Sequence, residues 1–493
     1  MWAISGLAKN SLKWVSLRRL FVLVNGLRHT KFRRMNSPES SPKKGAFSRR
    51  GFLKTAAAVG AVSAMPSFKM RTFANKNSKL RIFHIGVGGI GGLQRKELKS
   101  HPMVEFVGLC DVDSKTLDRV GREFPKAWKV KDFREGFDKH VDEFDAVIVD
   151  TPDLHHAPMM MTAFAANKHI YGQKPLVHQL DELRMIRSAI ATRPNLYTQM
   201  GNQRACYEGR MQAVEMLRNN QLGKPVEAWV WTGSVKRGHY FDAPWRELPE
   251  GKPVPDHLDW DLWNGPLKKP MPYSEDIAPR RWRSYWETGG GQLADWGCHL
   301  IDLLYFAYDM PDPIAVQTNT ARPSNDSHSA YNQSTITYPG GGQFAREKFV
   351  MRYNDDAINP PWTALGIPAR KEGANRTLVV CEDGSLLLEP GGKITVFRKG
   401  KEVKNEPRPK VGKRHHWHDW AECCLGNEKP LWAPFSIGSR ITEPALLAVK
   451  ATRFPNQTLL WDAKNYRFTN NEQANKTILK RDYRKGFAPP EMV

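Results

Sequence analysis

The sequence predicts an α/β protein: an N-terminal Rossmann dinucleotide-binding domain, then a C-terminal α/β domain with a large open, mainly antiparallel sheet. Three observations carry this. The β-rich run Leu80–Ile85 leads straight into Gly86-Val87-Gly88-Gly89-Ile90-Gly91; a helical stretch follows to about Ser100, and a second strand, Val104–Cys110, ends at Asp111. Strands and helices then keep alternating: strand 144–150, a helix from about Ala157 to Asn167, and strand 169–172, as a doubly wound parallel sheet requires. Past residue 206 the rhythm changes to short strand-like runs split by Pro/Gly-rich turns: 226–232, 315–321, 334–338, 343–353, 377–381, 385–388 and 394–398.

Each part of the first unit has a physical reading. Gly86 makes the tight turn, Gly88 lets a pyrophosphate approach the backbone, and Gly91 permits close helix packing, with Gly89 and Ile90 completing the loop. The helix that follows presents its N-terminus to the phosphates. Asp111 stands at the second strand's end, where a carboxylate accepts hydrogen bonds from ribose hydroxyls. It therefore favours NAD, with NADP possible because Lys115 and Arg119 lie nearby in sequence.

The 493 residues suffice for two or three domains. We divide them into a leader (1–79), the Rossmann domain (80–205), a substrate and oligomerisation domain (206–455) and an extension (456–493). Net charge is +23, which by itself suggests nucleic acid. Residues 1–79, however, hold 17 Lys/Arg against one acid, Glu39, so +16 resides in the leader and +7 in the remaining 414 residues. No basic helix or aromatic-plus-basic RNA motif appears there, so nucleic acid is not an expected partner. Six scattered cysteines without a CxxC pair give no disulfide framework.

Within the leader, Ser48-Arg49-Arg50-Gly51-Phe52-Leu53-Lys54 matches a twin-arginine export motif. The apolar stretch after it, Thr55 to Ala64, is too short and Ala-rich to span a bilayer, and Val62-Ser63-Ala64 offers a cleavage site. The expectation is a periplasmic or extracytoplasmic protein that leaves the membrane once the signal is cut. Met35 would open a signal of ordinary length, and we expect it to be the true start. Since this route carries folded proteins, a cofactor loaded in the cytoplasm would have to stay bound and be recycled in place.

The glycine loop, the Thr151-Pro152 turn with His155-His156, Lys174-Pro175 and the run from Gly289 to His299 (GGGQLADWGCH) resemble the Gfo/Idh/MocA oxidoreductase family over about residues 80–455. Members usually read Glu-Lys-Pro where this chain has Gln173-Lys174-Pro175, so a charge beside the lysine is missing. The resemblance implies catalytic Lys174 on the nicotinamide side, and Asp295 and His299 on the substrate side. It also implies cofactor contacts from Thr151, Pro152, His155, Gln173 and Lys174, and homo-oligomers built through the C-terminal sheet.

The chemistry suits those residue types. Oxidising a secondary alcohol sends a hydride to nicotinamide and a proton to a base. His299 can take the proton, Asp295 can orient it or bind a neighbouring hydroxyl, and Lys174 can stabilise developing negative charge on oxygen. Asp295, His299 and Asp302 fall at i, i+4 and i+7, one face of a helix. No metal is expected. The group 415–419 (HHWHD) is His-rich but lacks a metal spacing, and a structural role is the better reading. Residues 229–296 hold eight of the sixteen tryptophans, and segment 236–288 is a long Pro-, Arg- and Trp-rich loop of the kind that serves function. From it and its surroundings we take Asn202, Arg237, Tyr240 and Trp286, with Lys174, Asp295 and His299, as substrate-contact candidates. The expected activity is NAD(P)-dependent oxidation or reduction of a sugar or polyol CH–OH. The alternatives are a glycoside-cleaving enzyme that oxidises transiently, and a non-catalytic sugar-binding protein on the same fold.

Overall fold

The computed structural model describes residues 78–233, 240, 246–320, 324–355 and 358–491. The twin-arginine segment, Met35 and Arg237 lie outside the described residues.

Along the chain the first unit runs β1 (Leu80–Ile85), α1 (Gly91–Lys99), β2 (Val104–Cys110), α2 (Ser114–Gly121), β3 (Trp128–Val130), α3 (Phe133–His140), β4 (Ala146–Val149), α4 (His156–Ala165), β5 (His169–Gly172), α5 (Leu180–Thr192) and β6 (Thr198–Met200). The strands pair in parallel in the order β3-β2-β1-β4-β5-β6. Central strands are buried along nearly their whole length, because helices cover both faces.

Next come α6 (Glu208–Arg218), β7 (Pro225–Trp231), α7 (Trp260–Asn264), α8 (Gly291–Ala307), β8 (Ala315–Asn319), β9 (Gln333–Pro339), β10 (Lys348–Asn354), β11 (Arg376–Cys381), β12 (Ser385–Leu388), β13 (Ile394–Arg398) and β14 (Lys401–Val403). The chain continues with α9 (His416–Cys424), α10 (Phe435–Ala451), β15 (Leu459–Asp462), β16 (Arg467–Phe468) and α11 (Glu472–Thr477). These strands form one ten-stranded sheet, β14-β13-β12-β11-β7-β10-β9-β8-β15-β16, antiparallel except where β7 meets β10. The expected strand 343–353 is shorter than its sequence suggests. Gly340–Gly342 fold into a turn, with Gly341 and Gly342 at positive φ, and pairing begins at Lys348. No helix of the described residues is long and apolar enough to cross a membrane.

Helix α8 lies between the sheets. Its apolar side packs against α10, whose residues Ile441, Ala445, Leu446, Leu447 and Ala448 are fully buried. Gly297 allows that approach: a Cβ there would lie 2.9 Å from the Tyr353 hydroxyl and 3.2 Å from Ala445.

The glycine loop is sterically determined. Gly86 has φ +83°, and a Cβ on it would sit 2.6 Å from the Asp150 carbonyl oxygen. A Cβ on Gly91 would lie 2.5 Å from the Gly86 carbonyl oxygen, whereas one on Gly88 would meet nothing closer than 3.5 Å. The outer glycines therefore serve packing and the middle one leaves open approach. Gly86→Ala should destabilise the fold by about 3 kcal/mol or more, since clash and left-handed strain add. A denaturant midpoint equal to wild type would contradict this packing.

Candidate functional site

A cavity of about 1110 Å³ runs along the C-terminal ends of the Rossmann strands. This is above the usual range of about 300–1,000 Å³ for ligand pockets and so large enough for a dinucleotide. Its floor includes Gly86, Gly88, Gly89 and Ile90; Asp111 lines the β2 end, and Thr151, Pro152 and His155 line the β4 end. Gly91 supports the loop from beneath. Asp111 accepts hydrogen bonds from the Gly88 amide (3.1 Å) and the Asp113 amide (3.0 Å), and burial pushes its pKa up to about 6. A cradle that tolerates no Cβ at Gly86, an open approach at Gly88 and a carboxylate at the β2 tip together fit NAD.

Trp282 and Arg283 line the cavity; Lys174, Tyr240, Asp295 and His299 do not, and Arg283 connects them to it. Lys174 follows β5 and forms an ion pair with Asp295 of α8. The Tyr240 hydroxyl donates to the other carboxylate oxygen of Asp295, and Arg283 Nε approaches that oxygen at 3.3 Å. Burial and the Arg283 guanidinium press the Lys174 ammonium down to about 8. The Asp153 carboxylate pulls the other way, and the ammonium keeps its charge at neutral pH.

His299 lies one turn beyond Asp295, buried, with Nδ1 lacking a hydrogen-bond partner. Burial, then the charges of Lys174 and Arg204, hold its pKa well below the usual imidazole range. It is a neutral base in waiting, and Lys174 is close enough to contribute to that state. Cys298 is pushed up to about 12 by burial, so it is a packed thiol and not a nucleophile.

Other candidates are placed elsewhere. Asn202 is fully buried behind α8, donating to the Cys298 carbonyl at 2.7 Å and to Asp302 at 3.3 Å. Asp302 turns away from Asp295 and pairs with Arg210 of α6, which also donates to the His299 carbonyl at 2.9 Å. These two residues hold the helix and do not face the cavity. Trp286 is packed under Arg453 (3.8 Å from the ring centre) and Lys450 (4.5 Å). Gln173 is buried against Gly201, where a Cβ would sit 2.7 Å from its amide oxygen, and it does not line the cavity.

The histidines of α9 fasten that helix to the Rossmann domain. His416 Nε2 meets the Tyr171 hydroxyl at 3.0 Å, His418 Nε2 meets Ser100 at 2.8 Å, and His101 meets Glu422 at 2.9 Å. Among the described residues no group of His, Cys, Asp or Glu is arranged to hold a metal.

Two contributors have little sequence signal. Arg283 sits in an Arg-rich run where neighbours look equivalent. Asp153 looks like a turn residue, yet its buried carboxylate accepts the Gly290 amide at 3.0 Å, at the very start of α8.

A Rossmann cleft whose catalytic-type side chains come half from β5 and half from a helix of a sheet-bearing second domain defines the class of two-domain dinucleotide-binding proteins. The chain belongs to the Gfo/Idh/MocA oxidoreductase family. Residues 80–200 match that family's "NAD-binding Rossmann fold" and residues 212–355 its "C-terminal alpha/beta domain", together more than half of the chain. It is 25% identical over 170 residues to an inositol 2-dehydrogenase of Rubrobacter xylanophilus, covering 33% of this chain and 47% of that one. It is 34% identical over 209 residues to a glycosyl hydrolase family 109 protein of Stenotrophomonas maltophilia, covering 40% and 45%. The chain thus spans about half the length of the curated relatives it matches. In fold it is similar to an inositol dehydrogenase homologue from Azotobacter vinelandii, solved with NADH and myo-inositol, at TM-score 0.53 and 15% identity over 78% of this chain and 98% of that one.

The raised pKa of Asp111 sets a pH dependence. The carboxylate accepts ribose hydroxyls only above about pH 6, so NAD affinity should fall, by roughly ten-fold, as pH drops through 6. Titration of NADH fluorescence at pH 5 and 7.5 checks this. Asp111→Asn should bind weakly with no such slope, and an unchanged slope in that variant would remove Asp111 from the cofactor site.

Proposed function

We propose that this protein is an exported, NAD-dependent oxidoreductase acting on a secondary hydroxyl of a sugar or polyol, with a retained and recycled cofactor. The observation that carries the reading is the pairing of Lys174 with Asp295 near neutral His299, joined to the dinucleotide cleft through Arg283, which lines the cavity and reaches Asp295. NAD, when bound, supplies the hydride acceptor at its nicotinamide carbon. The chain's residues supply the rest. His299 takes the hydroxyl proton, which its lowered pKa permits because the ring is unprotonated at neutral pH. The Lys174 ammonium hydrogen-bonds the reacting oxygen and stabilises its growing negative charge in a site shielded from water. Asp295 keeps that ammonium in place and accepts from Tyr240, and a substrate hydroxyl can take over one of those contacts. Arg237 stands as a further substrate contact, and pairing of the ten-stranded sheet between subunits as the route to oligomers.

A second reading, glycoside cleavage through transient oxidation, is supported by the 34% identity to a glycosyl hydrolase family 109 protein. The two differ in their balance sheet: a dehydrogenase leaves NADH, whereas transient oxidation returns NAD and frees an aglycone. Purified folded precursor, tested with free polyols and with nitrophenyl glycosides, separates them. Aglycone release without net NADH supports the second reading; NADH formation from polyols supports the first; neither, in protein that binds NAD, overturns both.

Lys174→Ala should lower turnover by about 10²–10⁴-fold while NAD binding persists. Wild-type rates in that variant would exclude Lys174 from the reaction. In the wild type, kcat/KM should fall as pH rises above about 8, because the Lys174 charge is lost there. Export is tested separately: Arg49→Lys with Arg50→Lys should trap the precursor in the cytoplasm, and undiminished periplasmic protein would refute the twin-arginine assignment.

A further inference from the structure

The glycine-loop side of the cavity is not closed by the Rossmann domain alone. The segment around α7 crosses above it. The Asp259 amide donates to the Val112 carbonyl at 2.9 Å, the Ser114 amide to the His257 carbonyl at 2.8 Å, and His155 Nε2 to the Trp263 carbonyl at 2.8 Å. Burial pushes His155 down to about 3, so this ring is a neutral donor that pins the cover.

The chain's last described stretch then comes over the outside of that cover. Tyr483 hydrogen-bonds Glu182 at 2.6 Å and forms a bridge with Leu267. Arg484 grips both Asp261 (2.5 Å) and the Gly265 carbonyl (2.8 Å). Two residues beyond Arg484, at Gly486, which takes φ +81°, the chain is still bound: Arg134 donates to the Gly486 carbonyl at 2.8 Å. Phe487 is buried and lines the cavity beside Asp132 and Phe133, at the end that Asp111 marks for adenosine. The Arg134 guanidinium stacks at 4.0 Å from the Phe487 ring centre and Arg484 at 4.3 Å.

We propose that residues 479–487 belong to the cofactor site: Phe487 forms a wall of the adenosine end, and the segment straps the α7 cover down so that NAD leaves only when the strap unfastens. This rests on the reading of the cleft as an NAD site and goes further by giving retention a physical cause. The fastening suits a strap. One end is held by Tyr483 and Arg481 on buried Glu182, whereas the Arg484 and Arg134 contacts are partly exposed and can open against water. Opening at Phe487 therefore does not require the rest of the tail to detach. An aromatic held between two guanidiniums is also rigid on arrival, so little ordering is left to oppose cofactor binding.

The test uses the full chain, loaded with NADH and chased with excess NAD while the fluorescence decay is followed. Phe487→Ala and, separately, Arg484→Ala should each speed NADH dissociation by about ten-fold or more, since unfastening of the strap limits departure and changes of this kind act mainly on the off-rate. If either variant fails to fold, wild type supplies a second measurement. Lys485 is exposed within the strap, and NADH should slow tryptic cleavage there. Dissociation rates equal to wild type in folded variants, or tryptic cleavage indifferent to NADH, overturn the strap and leave the NAD site standing. Wild type that takes up no NADH overturns the NAD reading itself.

Discussion

The buried Asp153 carboxylate accepting the Gly290 amide ties the turn after β4 to the residue that caps α8. Everything chemical in the molecule depends on that junction. Lys174 belongs to the Rossmann unit and Asp295 and His299 to the second domain, so their meeting requires α8 to start at a fixed place. A carboxylate at a helix N-terminus is favoured by the unpaired amides and by the helix dipole. Two histidines add to it from opposite sides: His178 and His328 both reach the Gly289 carbonyl, at 3.1 Å and 2.6 Å. Further along, Asn202, Arg210 and Thr377 take the carbonyls of Cys298, His299 and Leu300. A helix held at its start and along its length leaves its side chains little freedom, and positioning of this kind is what a hydride-transfer geometry demands.

Burial then sets the charge states. The same desolvation that pushes His299 far down presses Lys174 only to about 8: Asp153 offsets part of the effect at Lys174, whereas the charged groups around His299 all add to it. One site therefore keeps a neutral base and a charged acid side by side at neutral pH, the same order that ordinary imidazole and ammonium groups show, with the imidazole moved further from its charged form. The arrangement follows from which domain contributes which charge, not from any single residue.

The Rossmann unit was legible because its signals are local. Gly86 and Gly91 are demanded by contacts within a few ångströms of the loop, and Asp111 follows from strand length. The Lys174–Asp295 pairing was reachable only through family resemblance, since nothing within either segment points to the other 121 residues away. Periodicity also misled in one respect. The i, i+4, i+7 spacing grouped Asp302 with Asp295 and His299, but α8 is buried almost all round, so sharing a face does not mean sharing a surroundings. Asp302 meets Arg210 of a neighbouring helix instead. Asn202 and Trp286 were candidates by chemistry type, and long-range packing turns both inward. The tail carried no chemistry in sequence at all. Its role depends on where Glu182, Asp261 and Arg134 stand, and these come from three separate stretches of chain.

The tail's placement bears on how such a protein can keep its cofactor. The walls of a Rossmann cleft alone leave a dinucleotide open along one edge, and retention requires that edge to be covered by something that does not have to leave with it. Here the cover is α7 and its flanking loops, tied to the Rossmann domain at Val112, Ser114 and His155, and the tail is tied in turn to the cover. The two layers fasten at different places, so thermal opening of one leaves the other closed. Release then needs both layers to open, and because the tail is tied across the cover it must unfasten first. Burying Phe487 at the adenosine end also removes water from the region where Asp111 accepts its hydrogen bonds, and there each of those bonds gains strength from the lower dielectric.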